Sequence, residues 1–291
     1  MSVADWFSTF CGNIAVNDLT TVRTRYRAIA KRLNQEYWNW ENELAFSRYV
    51  GSFGRGTATR RTSDVDMLFE LPATVYSQYN AYVSNGQSAL LQAVRNAIRK
   101  TYPATEVGGD GQVVVVSFTY GARFEVLPAF KKSDETYTYP DANDGGRWRI
   151  TNPKAEIDAI RSRNSVCNGN LRLLCRMMRA WKATWNVPIS GLLLDTLAYN
   201  FIGEWSYRTN SFMYYDWMSR DFFAYLANRD STQQYWLAPG SGQYVWRSNG
   251  FEYKAKRCYN IALAAIEHEG KNEHWSAKSK WREIYGSDFP S

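Results

Sequence analysis

The chain is 291 residues long, enough for two lobes or one large domain with an ample core. Its 35 basic residues against 28 acidic ones leave a net charge of +7, which suits anionic partners such as nucleotides or nucleic acid. Four scattered cysteines (Cys11, Cys167, Cys175, Cys258) without a C-x-x-C spacing, and only two histidines (His268, His274), argue against a zinc ribbon and point to free thiols in a reducing compartment. No basic-then-apolar leader opens the sequence and no apolar run reaches the roughly 18 residues of a membrane span, so the expected location is the cytoplasm.

Residues 18–38 carry apolar side chains at helical period (Leu19, Val22, Tyr26, Ile29, Ala30, Leu33, Tyr37), with Asn17 or Asp18 positioned to cap the helix. Ala45–Val50 reads as a strand entering the turn Gly51-Ser52-Phe53-Gly54, where backbone N–H groups and a hydroxyl are offered to a phosphate. A basic, hydroxyl-rich loop, Arg55 to Thr62, leads to the apolar run Val65, Met67, Leu68, Phe69, a second strand. On a strand, residues i and i+2 share a face, so Asp64 and Asp66 project together. Two adjacent anions repel unless a cation lies between them, and Mg²⁺, which takes hard oxygen ligands and substrate phosphates, is the natural candidate.

Gln87–Thr101 reads as a second amphipathic helix, Gly108-Gly109-Asp110-Gly111 as a turn, and Val113–Phe118 as a buried strand. Tyr120-Gly121 then turns the chain into Arg123-Phe124-Glu125-Val126-Leu127-Pro128, a strand that carries a third carboxylate, Glu125. An unpaired charge in such a run is costly to bury, so Glu125 is expected to join Asp64 and Asp66 as a ligand.

From Asn152-Pro153, an N-cap followed by Pro at the first helical position, the chain becomes helical. Within Leu171–Trp185, Leu171, Leu174, Met178, Trp181 and Trp185 share one face and Arg172, Arg176 and Arg179 another, with Lys182 at the margin. A stripe of guanidiniums is expected either to face solvent or to grip phosphates. Ser190 is placed to cap a helix over Gly191–Trp205 and, at that N-terminus, to meet a phosphate or ribose. Further helices are expected over Asp216–Ala227, Phe251–Glu269 and Ser276–Tyr285, with a loop at Ala238–Gly242.

The motifs Gly51-Ser52, Ser63-Asp64-Val65-Asp66, Phe124-Glu125-Val126-Leu127-Pro128-Ala129-Phe130 and Arg176-Met177-Met178-Arg179-Ala180-Trp181-Lys182 together resemble those of the DNA polymerase β-like nucleotidyltransferases. Within that superfamily they are similar to the bacterial cGAS/DncV-like nucleotidyltransferases, or CD-NTases, whose core is the SMODS domain. The resemblance implies an α+β fold in which a mixed-sheet nucleotidyltransferase lobe (residues 1–150) packs on a helical lobe (residues 151–291), with nucleotides in the cleft. It implies a cyclic di- or trinucleotide second messenger made from NTPs, ATP and GTP foremost, that acts on a separate effector in antiphage (CBASS) defence. It also implies two Mg²⁺ or Mn²⁺ ions held by Asp64, Asp66 and Glu125, where the superfamily more often has Asp at the third position. Gly51, Ser52, Arg179, Lys182 and Ser190 are the implied nucleotide contacts, with Arg179 where many relatives have Lys. A monomer without template or membrane is expected. The competing expectations are a nucleotidyltransferase modifying an RNA end, a protein or a small molecule, and a non-catalytic binder of single-stranded nucleic acid.

Overall fold

The computed structural model describes residues 2–291. Helix α1 (Val3–Asn13) opens the chain, closed at its start by reciprocal Ser2 and Asp5 hydrogen bonds. Then follow α2 (Leu19–Tyr37), β1 (Ser47–Tyr49), α3 (Gly51–Arg55), β2 (Asp64–Glu70), α4 (Ala73–Asn80), α5 (Gly86–Thr101), β3 (Glu106–Asp110), β4 (Val113–Ser117), β5 (Arg123–Lys131), β6 (Tyr137–Asp141) and β7 (Arg147–Thr151). The remainder comprises α6 (Pro153–Val166), α7 (Asn170–Thr184), α8 (Gly191–Glu204), α9 (Tyr215–Ala227), the hairpin β8 (Tyr235–Leu237) and β9 (Tyr244–Trp246), α10 (Glu252–Gly270) and α11 (His274–Tyr285).

The chain forms two compact units, each discontinuous in sequence, where the resemblance implies a single division near residue 150. One unit comprises Asn17–Gly54 and Thr62–Lys154; the other comprises Met1–Val16, Arg55–Arg61 and Ala155–Ser291. Two segments from the first third of the chain thus belong with the helices. Helix α1 does so because Val3, Trp6, Phe7, Phe10 and Cys11 are buried with side chains of α7, α9 and α11. Residues 55–61 do so through hydrogen bonds and ion pairs described below.

In the sheet unit the strand order is β1-β2-β5-β4-β3, with β6 pairing β5 and β7 pairing β6. The pairing is mixed: β2 and β5 run parallel, the other pairs antiparallel. Val65, Met67, Phe69, Phe124 and Val126 face the apolar sides of α2 and α5, where Leu90, Leu91, Val94, Ala97 and Ile98 are all buried. Each such leucine contributes about 1.5–3 kcal/mol on leaving water. Pro128 is tolerated in a central strand because the β4 ladder ends at Val126, where no partner asks for its missing N–H. The glycine run at 108–109 proves to be part of strand β3, with the turn at Gly111 and Gln112. The stretch Ala238–Gly242 is the turn of the β8–β9 hairpin.

In the helical unit, Asp216 lies buried in the first turn of α9 with its Oδ1 unpartnered among the described residues. Burial pushes its pKa up to about 6, against the pull of backbone N–H groups at Trp217 and Asp216 itself. A carboxyl raised in the folded state costs stability as pH climbs from its unfolded value through the folded one, and the whole cost is present above that. Asp216→Asn is therefore expected to be more stable than the parent at pH 8, by up to ~3 kcal/mol, and to converge with it below about pH 4. Denaturant titrations at both pH values check this; equal stability at pH 8 would contradict it.

Candidate active site

The parallel pairing of β2 with β5 sets Asp64 opposite Arg123 and Asp66 opposite Glu125. Because period-2 alternation sends Val65 and Met67 to the core beneath, all four charged side chains stand on the other face, as a two-by-two array. That face is floored further along by Leu68, Ala129, Tyr137 and Val50. The three carboxylates predicted from sequence are thus brought onto one face, at the end of the ladder where both strands begin.

Strand β1 delivers the Gly-Ser turn to the same place. The Val50 N–H donates to the Asp66 carbonyl at 2.9 Å, and α3 starts immediately after it. Gly51 has φ +54° and approaches Asp66 so closely that a Cβ would lie 1.8 Å from Oδ2. Only glycine fits, on both conformational and steric grounds. Ser52 is buried to 8% exposure, and its hydroxyl makes no protein hydrogen bond among the described residues, leaving it available to a ligand.

The electrostatics follow from the array. Burial raises the Glu125 carboxyl above its ordinary range, and the neighbouring anions Asp66 and Asp64 add to this, while Arg123 opposes it. The Arg123 guanidinium spans two of the three anions, with Nε 3.0 Å from Asp64 Oδ1 and Nη2 2.5 Å from Glu125 Oε1. The Asp64 charge, followed by that of Glu125, holds Arg123 more firmly protonated. Hard carboxylate oxygens that already attract one cation fit Mg²⁺ or Mn²⁺; no cysteine or histidine lies in this array. Among the described residues, no three histidine, cysteine, aspartate or glutamate side chains are already gathered as a metal-holding group. Sequence reasoning passed over Arg123, although its i, i+2 spacing from Glu125 was legible.

On α7 the arginine stripe meets protein groups. Arg172 Nε donates to the Arg55 carbonyl at 3.0 Å and Arg176 Nη2 to the Gly56 carbonyl at 3.0 Å. Arg179 Nη2 donates to Asp195 Oδ2 at 2.8 Å, Thr57 Oγ1 at 3.2 Å and the Gly191 carbonyl at 3.3 Å. Asp195, fully buried on α8, also accepts from Arg55 Nε at 3.0 Å and Thr57 Oγ1 at 2.9 Å, and Arg55 reaches Glu156 at 3.3 Å. The three arginines therefore strap residues 55–57 to the helical unit, and Arg179 is engaged by the Asp195 carboxylate. Lys182 is the cation left over. It is half-buried, its ammonium has no hydrogen-bond or ion-pair partner among the described residues, and burial followed by the Arg179 charge lowers its pKa. Ser190 caps α8, its Oγ accepting from the Leu193 N–H at 3.1 Å.

The chain is similar to known proteins at three levels. The domain family described as Second Messenger Oligonucleotide or Dinucleotide Synthetase matches residues 1–164. A protein of Bacillus cereus (strain VD146) named "probable cyclic nucleotide synthase" is 25% identical, over 83% of this chain and 81% of its own. Among solved structures, CdnC of E. coli MS115-1, in complex with a HORMA protein, superposes with a TM-score of 0.71 at 14% identity, covering 99% of this chain and 98% of that one. The GTP complex of CdnG from Bradyrhizobium diazoefficiens gives 0.68 at 12% identity, covering 97% and 94%. DncV of Vibrio cholerae, with a linear pppApG intermediate, gives 0.64 at 16% identity, covering 96% and 94%. At such identities the structures speak for the fold: α+β, of the polymerase β-like nucleotidyltransferase type. No helix among the described residues is long and apolar enough to cross a membrane, and all four cysteines are free and buried.

Proposed function

From the chain's membership of the Second Messenger Oligonucleotide or Dinucleotide Synthetase family, nucleotidyltransferases that build cyclic oligonucleotides from NTPs, we propose that Asp64, Asp66 and Glu125 carry the transfer on a pair of Mg²⁺ ions. The observation that supports this most is the β2–β5 register, which puts the three carboxylates on one face beside the Gly51-Ser52 turn. When bound, the metals would neutralise triphosphate charge and lower the pKa of the acceptor hydroxyl. The chain's own residues do the rest by positioning. Asp64 and Asp66 hold the donor end of the site, and Glu125 orients the acceptor side. The Gly51 backbone and the free Ser52 hydroxyl receive the leaving phosphates, as a small-residue turn with exposed N–H groups can.

In the reaction, a ribose hydroxyl oxygen of the acceptor bonds to the α-phosphorus of the donor as the α–β phosphoanhydride breaks, and pyrophosphate departs. A second transfer within the linear product closes the ring. In the helical unit, Lys182 offers an unpaired cation to nucleotide, and Ser190, which caps α8, is the second proposed contact there. Arg179, held by Asp195, fixes the 55–57 segment and is also the proposed contact to the donor triphosphate. The protein acts in the cytoplasm, and its product is read by a separate effector in antiphage defence, the usual setting of such enzymes.

Incubating the purified protein with all four NTPs and Mg²⁺ or Mn²⁺, then treating with phosphatase and weighing products by mass spectrometry, tests the assignment. A phosphatase-resistant cyclic species is expected. Nucleotide found only on a macromolecule or a small-molecule acceptor would replace cyclisation with another transfer.

A further inference from the structure

Arg123 is the first residue of β5, at the start of the strand after the turn at Gly121, which has φ +81°. Parallel pairing sets it directly across from Asp64, and alternation along β5 sets it beside Glu125 on the same face. Its guanidinium bonds both carboxylates at once and is 43% exposed, so the side chain can swing toward water without any backbone change. A fork that binds two of three proposed ligands occupies their lone pairs as a metal ion would.

We propose that Arg123 is a resident counter-cation of the metal site, displaced when metal arrives as its NTP complex. The inference rests on the reading that Asp64, Asp66 and Glu125 are metal ligands. Without Arg123, three anions on adjacent strands would repel one another; with it, the array is ordered and partly neutralised before substrate binds. A bare dication entering the array must expel the guanidinium into water and lie near its positive charge. A dication carrying a triphosphate brings anionic oxygens that the released fork can bind bidentately, so the expelled cation gains a new partner. The consequence is ordered loading: weak affinity for free metal and strong affinity for metal with nucleotide. Arg123 thereby acts as a positioning residue that sets the order in which the site fills.

The test is Mn²⁺ binding to the nucleotide-free full-length protein, read by electron paramagnetic resonance and calorimetry, with no turnover required. Arg123→Gln is expected to bind free Mn²⁺ about tenfold more tightly than the parent, with the difference shrinking once a non-hydrolysable NTP analogue is present. Arg123→Lys keeps the charge and is expected to stay within a few-fold of the parent. Unchanged or weaker Mn²⁺ binding in Arg123→Gln, with an unaltered melting temperature, overturns the proposal. The Asp64→Asn/Asp66→Asn variant separates this failure from that of the underlying reading. If it loses Mn²⁺ while Arg123→Gln shows no gain, only the role of Arg123 falls. If it binds Mn²⁺ as the parent does, the carboxylate assignment falls, and the role of Arg123 with it.

Discussion

Asp64→Asn/Asp66→Asn is expected to lower cyclic product formation by at least ~10³-fold while leaving the fold in place. Metal assistance contributes several kcal/mol of charge stabilisation in the transition state, and each ~1.4 kcal/mol is a factor of ten in rate. Two neutral amides on β2 remove most of the negative charge that holds a dication there. The structural cost is small for two reasons. The Asp64–Arg123 pair is open to solvent on both sides, with side chains 37% and 43% exposed, and such pairs are worth about 0–1 kcal/mol. Losing Asp64 and Asp66 also removes two of the anions that press on Glu125, which relieves the repulsion that raises its carboxyl. Product yield and melting temperature measured on the same preparation check both halves. Full activity in the variant would remove the carboxylates from the chemistry, and loss of activity together with unfolding would leave them as structural residues.

Asp195→Asn is expected to destabilise the helical unit by about 3–5 kcal/mol, the usual cost of removing one partner from a buried charge network. In the parent, burial alone would raise the Asp195 carboxyl. Arg179 and Arg55, with the Thr57 hydroxyl, more than offset this and hold it below the ordinary range. A neutral amide of the same shape leaves the Arg55 and Arg179 guanidiniums without their shared anion, and only Arg55 keeps a carboxylate partner, Glu156. For a chain of this size the loss corresponds to a fall in melting temperature of roughly 10 °C. The pH dependence carries the sign of a depressed carboxylate. The contribution is present above the unfolded value of 3.8 and is lost as pH falls through the lower folded value. The gap between parent and variant should therefore be wide at neutral pH and close only in acid, below about pH 4. Thermal melts across that window check it; a gap of under ~1 kcal/mol at neutral pH would show that solvent or Glu156 replaces Asp195 at little cost.

Much of the candidate site was legible because it depends on local periods. Alternation at 64–66 put two carboxylates on one strand face, and a β pattern around Glu125 supplied the third. The helical periods of residues 19–37, 86–101 and 170–184 named the inward residues within a position or two of the observed ends. The cap at Ser190 and the proline start of α6 followed from backbone chemistry that any helix terminus shares.

Other features depended on distant residues. Periodicity showed that Arg172, Arg176 and Arg179 share a face, but not that the Arg55 and Gly56 carbonyls and the Thr57 hydroxyl would occupy it. Arg55 and Asp195 meet across 140 positions, and no local pattern carries a partner at that separation. The same network draws residues 55–61 away from the sheet unit in which both flanking segments lie. The two-by-two array of Asp64, Asp66, Arg123 and Glu125 likewise needed the register of a parallel ladder. A one-residue slip of β5 against β2 would have turned Arg123 and Glu125 to the buried face. Which side chains point together along one element is a property of the backbone's own repeat, and it is written residue by residue. Which elements then face one another is settled only when burial, register and ion pairing are satisfied at once.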